Sequence, residues 1–159
     1  MSFTITVSGI SHKFDAPVKV AQALEILLPQ IPPGGLMGAF EVSRVHELCA
    51  TLDRDALLSP ITYSDEEGRR IYERSLRFVF LLAAKRCFPG ADPLIEHSLG
   101  QGVYVEFDNL RLTSFDIGEI EREMRHIISC DLPFSRHRWT REKAIDYFRQ
   151  KGSEDKARL

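Results

Sequence analysis

Arg69, Arg70, Arg74 and Arg77 crowd one predicted helix, interleaved with Glu66, Glu67 and Glu73. A planar guanidinium grips phosphate or carboxylate through two parallel hydrogen bonds, so this run could hold an anionic ligand. The same spacing sets glutamates three and four positions from arginines, where ion pairs form on a solvated helix face. Spacing alone favours the ion pairs. Glu96-His97-Ser98 ends a predicted strand just before Leu99-Gly100-Gln101-Gly102, a place where side chains meet ligands. There His97 and Ser98 could hydrogen-bond a nucleotide, although a lone histidine more often serves as a surface or structural group. Gly100 and Gly102 answer the backbone needs of the turn.

Arg136-His137-Arg138-Trp139, followed by Arg141 and Lys143, is the most basic run and holds the only tryptophan. Cations beside an aromatic ring can bind nucleic acid, with Arg136 and Arg138 on phosphates and a base on Trp139. Strand alternation would instead solvate both arginines and bury Trp139, with Asp131, Glu142 and Asp146 near enough to neutralise them. A strand is the expected state. Glu119, Glu121 and Glu123 point to different faces of a helix and make no acid–base pair. Cys49, Cys87 and Cys130 are odd in number and lack Cys-x-x-Cys spacing. They are expected as reduced, buried, small apolar side chains, which points to a cytoplasmic location. No catalytic residue and no metal site is predicted.

The elements that must position these groups read as follows. Residues 3–7 and 10–14 alternate as two strands around Ser8-Gly9. A helix opens at Pro17, carries Val20, Leu24, Leu27 and Leu28, and ends at Pro29. Residues 37–48 read as a hairpin turning at Ser43-Arg44, and Ile61 to Tyr63 as a short strand. Two strands, a helix and further strands within about 63 residues is the pattern of a β-grasp, ubiquitin-like domain at residues 1–63. Ser64 and Glu67 suggest a capping box opening the arginine helix, which Pro89-Gly90 stops. Ile95–Ser98 and Val103–Phe107 pair as a hairpin, Thr113 with Asp116 caps a helix, Phe134 to Trp139 is extended, and Thr140 caps a last helix closed by Gly152. Residues 64–159 are thus expected to form a second, α+β domain.

With 159 residues, 43% of them apolar and 28% charged, the chain can bury a core. Its net charge of −2 gives no global footprint for nucleic acid. No apolar run approaches the roughly 20 residues that span a bilayer, and the N-terminus lacks a signal peptide's apolar run, so no membrane partner is expected.

The strings Glu67-Gly-Arg-Arg-Ile-Tyr72, Arg74-Ser75, Ala84-Lys-Arg86, Phe88-Pro-Gly90, Gly102-Val-Tyr-Val-Glu-Phe107, Ile120-Glu-Arg-Glu-Met124, Asp131-Leu-Pro-Phe134 and Glu142-Lys-Ala144 occur in a telling order. Their order resembles the second additional domain of threonyl-tRNA synthetases, and residues 1–63 resemble the TGS domain that precedes it there. The resemblance implies a TGS-type β-grasp followed by an incomplete editing-domain-like α+β region. Synthetases that edit mischarged tRNA carry His-Ser-x-x-His on the first helix of that region. Here the stretch reads Arg74-Ser75-Leu76-Arg77-Phe78. Arginine stays protonated and phenylalanine has no lone pair, so neither replacement can ligate zinc or take a proton from water. The remaining editing residues would lie beyond Leu159, so the resemblance implies no editing. It also aims Arg74 inward, where the histidine points, at a vestigial pocket with Glu96 or an anion as partner. Arg77 is the less direct companion.

The altered string Arg-Ser-Leu-x-Phe-Val, with Glu96-His97-Ser98, is similar to the N-terminal region of bacterial uridine-kinase-like nucleoside kinases. In those proteins a P-loop kinase domain follows. Nothing here matches Gly-x-x-x-x-Gly-Lys-Ser/Thr. ATP and magnesium are therefore expected only in a kinase domain absent from this chain, and no cofactor within it. The resemblance implies an N-terminal fragment or a naturally truncated relative. As such it would be a non-catalytic accessory module with a C-terminal kinase domain in cis, and with nucleotide or RNA as further partners. The alternative is an RNA-binding module derived from threonyl-tRNA synthetase, without editing activity.

Overall fold

The computed structural model describes residues 2–99, 102–107, 110–153 and 157–158, with the backbone alone at 98 and 99. It is a mixed α+β chain that divides into two compact units, Met1–His126 and Ile127–Leu159. The expected boundary at 63/64 lies inside the first unit, where a strand passes into a long helix.

The first unit opens with β1 (Phe3–Val7) and β2 (Ile10–Phe14), paired antiparallel from Phe3↔Phe14 to Val7↔Ile10. Ser8 and Gly9, at φ 51° and 83°, make the turn. Next come β3 (Val18–Lys19) and α1 (Val20–Leu27). Pro17 does not start this helix, because β3 intervenes. The first amides of α1 are satisfied from a distance: Val20 N–H donates to the Ala50 carbonyl at 2.9 Å and Ala21 N–H to that of Leu48 at 3.0 Å. Tertiary carbonyls do most of the capping here, and the local contribution is a long bond from Lys19 N–H to Gln22 Oε1 at 3.4 Å.

β4 (Leu36–Glu41) and β5 (Arg44–His46) form a hairpin with Glu41↔Arg44 at its end. The turn lies at Val42-Ser43, one residue earlier than expected. Val42 is therefore not a strand residue: it takes φ 57° and is 93% exposed. β6 (Thr51–Leu52) pairs with β3, and β7 (Ala56–Thr62) runs parallel to β1 and antiparallel to β4. Pro60 hides most of β7 from a sequence reading. Pairing with β1 ends at Val7↔Leu58, so the missing N–H of Pro60 leaves no bond to β1 unmade.

The sheet order is β2-β1-β7-β4-β5. Val20, Ala23, Leu24 and Leu27 of α1 recur at i, i+3, i+4, i+7 and share a core with Phe3, Ile5, Val7, Ala39 and Leu58. Burying each large member contributes about 1.5–3 kcal/mol.

α2 (Glu66–Cys87) begins after Asp65, not at Ser64. The capping box expected from Ser64 and Glu67 does not form. The Asp65 carboxylate instead accepts from Thr62 N–H at 2.7 Å and Thr62 Oγ1 at 2.9 Å, tying the helix start to the end of β7. Gly68 is what allows this closeness, since a β-carbon there would lie 1.8 Å from the Thr62 carbonyl oxygen. β8 (Pro93–Leu99) and β9 (Gly102–Phe107) make a further two-stranded sheet, apart from the β3–β6 pair. Phe80 of α2 meets Phe107 edge-on at 6.3 Å. α3 (Ser114–Ser129) has the expected box: Asp116 accepts from Thr113 N–H at 2.7 Å, and Thr113 Oγ1 accepts from Asp116 N–H at 3.4 Å.

In the second unit α4 (Arg141–Gln150) is capped as expected, Thr140 Oγ1 accepting from Lys143 N–H at 3.4 Å. The expected extended strand over Phe134 to Trp139 is absent. These residues are in no regular element, and every residue from 131 to 143 is exposed. With no neighbouring strand to complete a ladder, alternation by itself does not make a strand. Among the described residues, no helix is long and apolar enough to cross a membrane.

Candidate functional site

Along α2 the arginines divide by face. Arg70 pairs with Glu66 at 2.6 Å and Glu67 at 3.5 Å, and Arg69 Nη1 donates to the Ser64 carbonyl at 2.8 Å. The two Arg70 pairs are the solvated contacts that i,i+3 and i,i+4 spacing predicts. Arg74 is exposed, and no hydrogen bond or ion pair holds it among the described residues. The inward aim expected of it, with Glu96 as partner, is not what the helix does. Arg77 is the half-buried one. Its Nη2 lies 3.9 Å from Glu73, and its Nε is buried without a hydrogen-bond partner among the described residues. Phe78, the other substituted position of the editing motif, is 62% exposed.

The β8–β9 hairpin places His97 at an irregular step in the register between Ile95 and Ser98. Its ring stacks on Tyr104 at 5.3 Å and stays largely exposed, with Nδ1 3.9 Å from a Glu96 oxygen. The Ser98 backbone pairs with Val103, while its side chain lies outside the described residues. Among those residues no hydrogen bond or ion pair links Arg74 or Arg77 to Glu96 or His97.

The second unit assembles its basic run differently. Trp139 meets Tyr147 edge-on at 4.8 Å and His137 at 6.0 Å, and Lys143 Nζ lies 5.3 Å from the indole centre. Lys151 Nζ in turn lies 5.9 Å from the Tyr147 ring. Arg136 and Arg138 are exposed. Trp139 is not buried as a strand would have it, and it remains 38% exposed.

One cluster went unforeseen in the sequence. Arg54 grips Glu41 with both terminal nitrogens at 2.6 Å, and buried His46 donates from Nε2 to the same carboxylate at 2.8 Å. The Arg54 hydrogen bonds, then that of His46, pull the Glu41 carboxyl down to about 2. A carboxylate so held stays ionised and cannot act as a general acid near neutrality. It ties β4 and β5 to the segment before β7. Only Glu41 and His46, diagonal neighbours across the hairpin, offer a local hint of it.

The cysteines also depart from expectation: Cys49 and Cys130 are exposed, and only Cys87 is partly covered. Burial, then the nearby Glu123 and Glu119 carboxylates, raises the Cys87 thiol above its ordinary value, which keeps it protonated. Among the described residues no group of three His, Cys, Asp or Glu side chains could hold a metal ion.

No family model matches the sequence. The chain is similar to the threonine–tRNA ligase of Symbiobacterium thermophilum, 30% identical over 152 residues, which is 95% of this chain and 23% of that protein. The threonine–tRNA ligase of Burkholderia lata matches at 30% over 152 residues, covering 95% of this chain and 24% of the relative. That of Desulforamulus reducens is 36% identical over 108 residues, 67% of this chain and 17% of the relative. Over nearly its whole length the chain is threonyl-tRNA synthetase-like, and it spans about a quarter of the length of the curated relatives it matches.

Proposed function

We propose that this chain is a non-catalytic accessory module of the cytoplasm, a TGS-type β-grasp domain at 1–63 followed by an incomplete synthetase-like region at 64–159. Its partner in this reading is a P-loop nucleoside kinase domain of the uridine-kinase type in the same polypeptide. The sheet order β2-β1-β7-β4-β5, with β1 and β7 parallel and α1 packed on one face, supports the β-grasp assignment. The observation that carries the functional reading is Arg74-Ser75-Leu76-Arg77-Phe78 standing where editing enzymes have His-Ser-x-x-His. An exposed arginine and an exposed phenylalanine have replaced both histidines, and neither can bind zinc or accept a proton. The string, with Glu96-His97-Ser98, favours the kinase branch of the architecture.

Two measurements test this. Metal analysis and aminoacyl-tRNA deacylation on the purified chain are expected to give no stoichiometric zinc and no hydrolysis; bound zinc with chelator-sensitive deacylation overturns the reading. Extending the reading frame past Leu159 tests the parent: a Gly-x-x-x-x-Gly-Lys-Ser/Thr segment supports the kinase, and synthetase catalytic motifs overturn it. The second reading, a synthetase-derived RNA-binding module, is favoured by the threonine–tRNA ligase relatives.

A further inference from the structure

Trp139, Lys143, Tyr147 and Lys151 fall four residues apart, aromatic and cation in alternation, and α4 with its C-cap Lys151 sets the last three on one face. Each cation lies over the ring before it, Lys143 on Trp139 and Lys151 on Tyr147. Trp139 and Tyr147 are 38% and 41% exposed, and α4 buries no residue. The rings therefore form a surface rather than the centre of a core. Arg138 and Arg141, at the start of the ladder, are exposed too. None of these four cations has a carboxylate partner among the described residues. Glu142 and Asp146 precede Lys143 and Tyr147 by one residue, about 100° round the helix, and face elsewhere.

The sequence concentrates charge in the same place. Residues 127–159 hold 8 Lys/Arg against 5 Asp/Glu, a net +3, whereas residues 1–126 hold 13 against 18, a net −5. We propose that the Trp139–Lys143–Tyr147–Lys151 ladder is a binding face for single-stranded nucleic acid. A base stacks on Trp139 while Arg138, Arg141 and the lysines take phosphates. A polyanion supplies the charge this face lacks, and an unpaired base supplies a ring for the half-exposed indole; a duplex hides its bases, and an Asp or Glu side chain has no ring to offer. The inference is independent of the kinase partner and holds whichever parent protein is correct.

Trp139 is the only tryptophan, so fluorescence excited to the red of tyrosine absorption reports this face. Titration with a uridine oligonucleotide of about 12 residues is expected to quench it saturably. Affinity should fall as salt rises, with a log–log slope between about −2 and −3 for three to four phosphate contacts at roughly 0.7 each. The double variant Lys143→Gln/Lys151→Gln should bind about ten-fold more weakly with an unchanged circular-dichroism spectrum. Trp139→Phe, followed by anisotropy of a labelled oligonucleotide, should lose several-fold. The proposal is overturned by absence of saturable quenching, or by equal binding of a duplex of the same length. Equal binding of polyphosphate would reduce the face to charge alone, and equal quenching by polyglutamate would make it a protein-docking surface. Either result also overturns it, as does an unchanged affinity of the double variant.

Discussion

In the first unit Arg54, Arg70, Arg77, Lys85, Arg86 and Arg125 each lie 2.6–3.9 Å from a carboxylate. In the second, Arg138, Arg141, Lys143, Arg149 and Lys151 have no such partner among the described residues, and two of them lie over aromatic rings instead. Burial divides the units the same way. Ile5, Val7, Leu24 and Leu58 of the first are covered to within 1% of full burial, while α4 covers none of its residues. Charge and packing thus teach one lesson. Where strands and helix close a core, some cations enter ion pairs, and those of Arg54 and Arg86 tie separate segments together. Where the chain closes little, cations and rings are left for something outside it.

The sharpest break in that contrast would come at Gly68. A β-carbon there meets backbone, the Thr62 carbonyl at 1.8 Å, and backbone cannot rotate away as a side-chain tip can. Gly68→Ala should cost about 4 kcal/mol or more and lower the thermal midpoint by roughly 10 °C, read by circular dichroism. Next, Leu24→Ala empties a fully buried site and should cost about 3 kcal/mol. Phe148→Ala, from the half-covered face of α4, should cost under about 1 kcal/mol. Equal losses at the two sites would dissolve the distinction between the units.

Glu41 offers a pH test confined to the first unit. Its folded-state carboxyl is held at about 2, below the ordinary 4.5, by Arg54 and then His46. A depressed carboxylate contributes stability that is full above its unfolded value and lost as pH falls through the folded one. Compared with Glu41→Gln, the native chain should be more stable by about 1–2 kcal/mol near neutrality. That advantage should shrink between pH 4.5 and about 2. A difference constant across that window would mean the network contributes shape alone.

These contrasts were unevenly legible in the sequence. β1, β2 and α3 could be read because alternation, a Ser-Gly turn and a Thr-x-x-Asp box are local signals. β3 and β6, two residues each, exist only because they meet each other, and the start of α1 is held by carbonyls some 28 residues away in sequence. Arg54 reaches Glu41 across 13 positions, which no periodicity encodes. For the second unit the residue types of Trp139, Arg136 and Arg138 were legible, but their state was not. Strand alternation was read where the chain is irregular, and the four-residue ladder from Trp139 to Lys151 is a helical signal that a strand reading hides.

The smallest expected effect falls on α2, where Arg77 makes the loosest of the arginine ion pairs in its unit. Its Nη2 reaches Glu73 only at 3.9 Å, and among the described residues its buried Nε has no acceptor. A buried donor left unmade costs stability, whereas an apolar side chain of similar length keeps the packing of the stem without that cost. Arg77→Met should therefore be neutral or raise stability by up to about 1 kcal/mol. Arg74→Ala, one turn earlier and already free in solvent, should stay within about 0.5 kcal/mol of the native chain. Chemical denaturation of both variants checks the pair. A loss above about 1 kcal/mol at Arg77 would mean that its guanidinium is satisfied in solution, and that the half-buried face of α2 holds an anion or carbonyl there after all. A comparable loss at Arg74 would restore the inward orientation that the editing-domain resemblance implies.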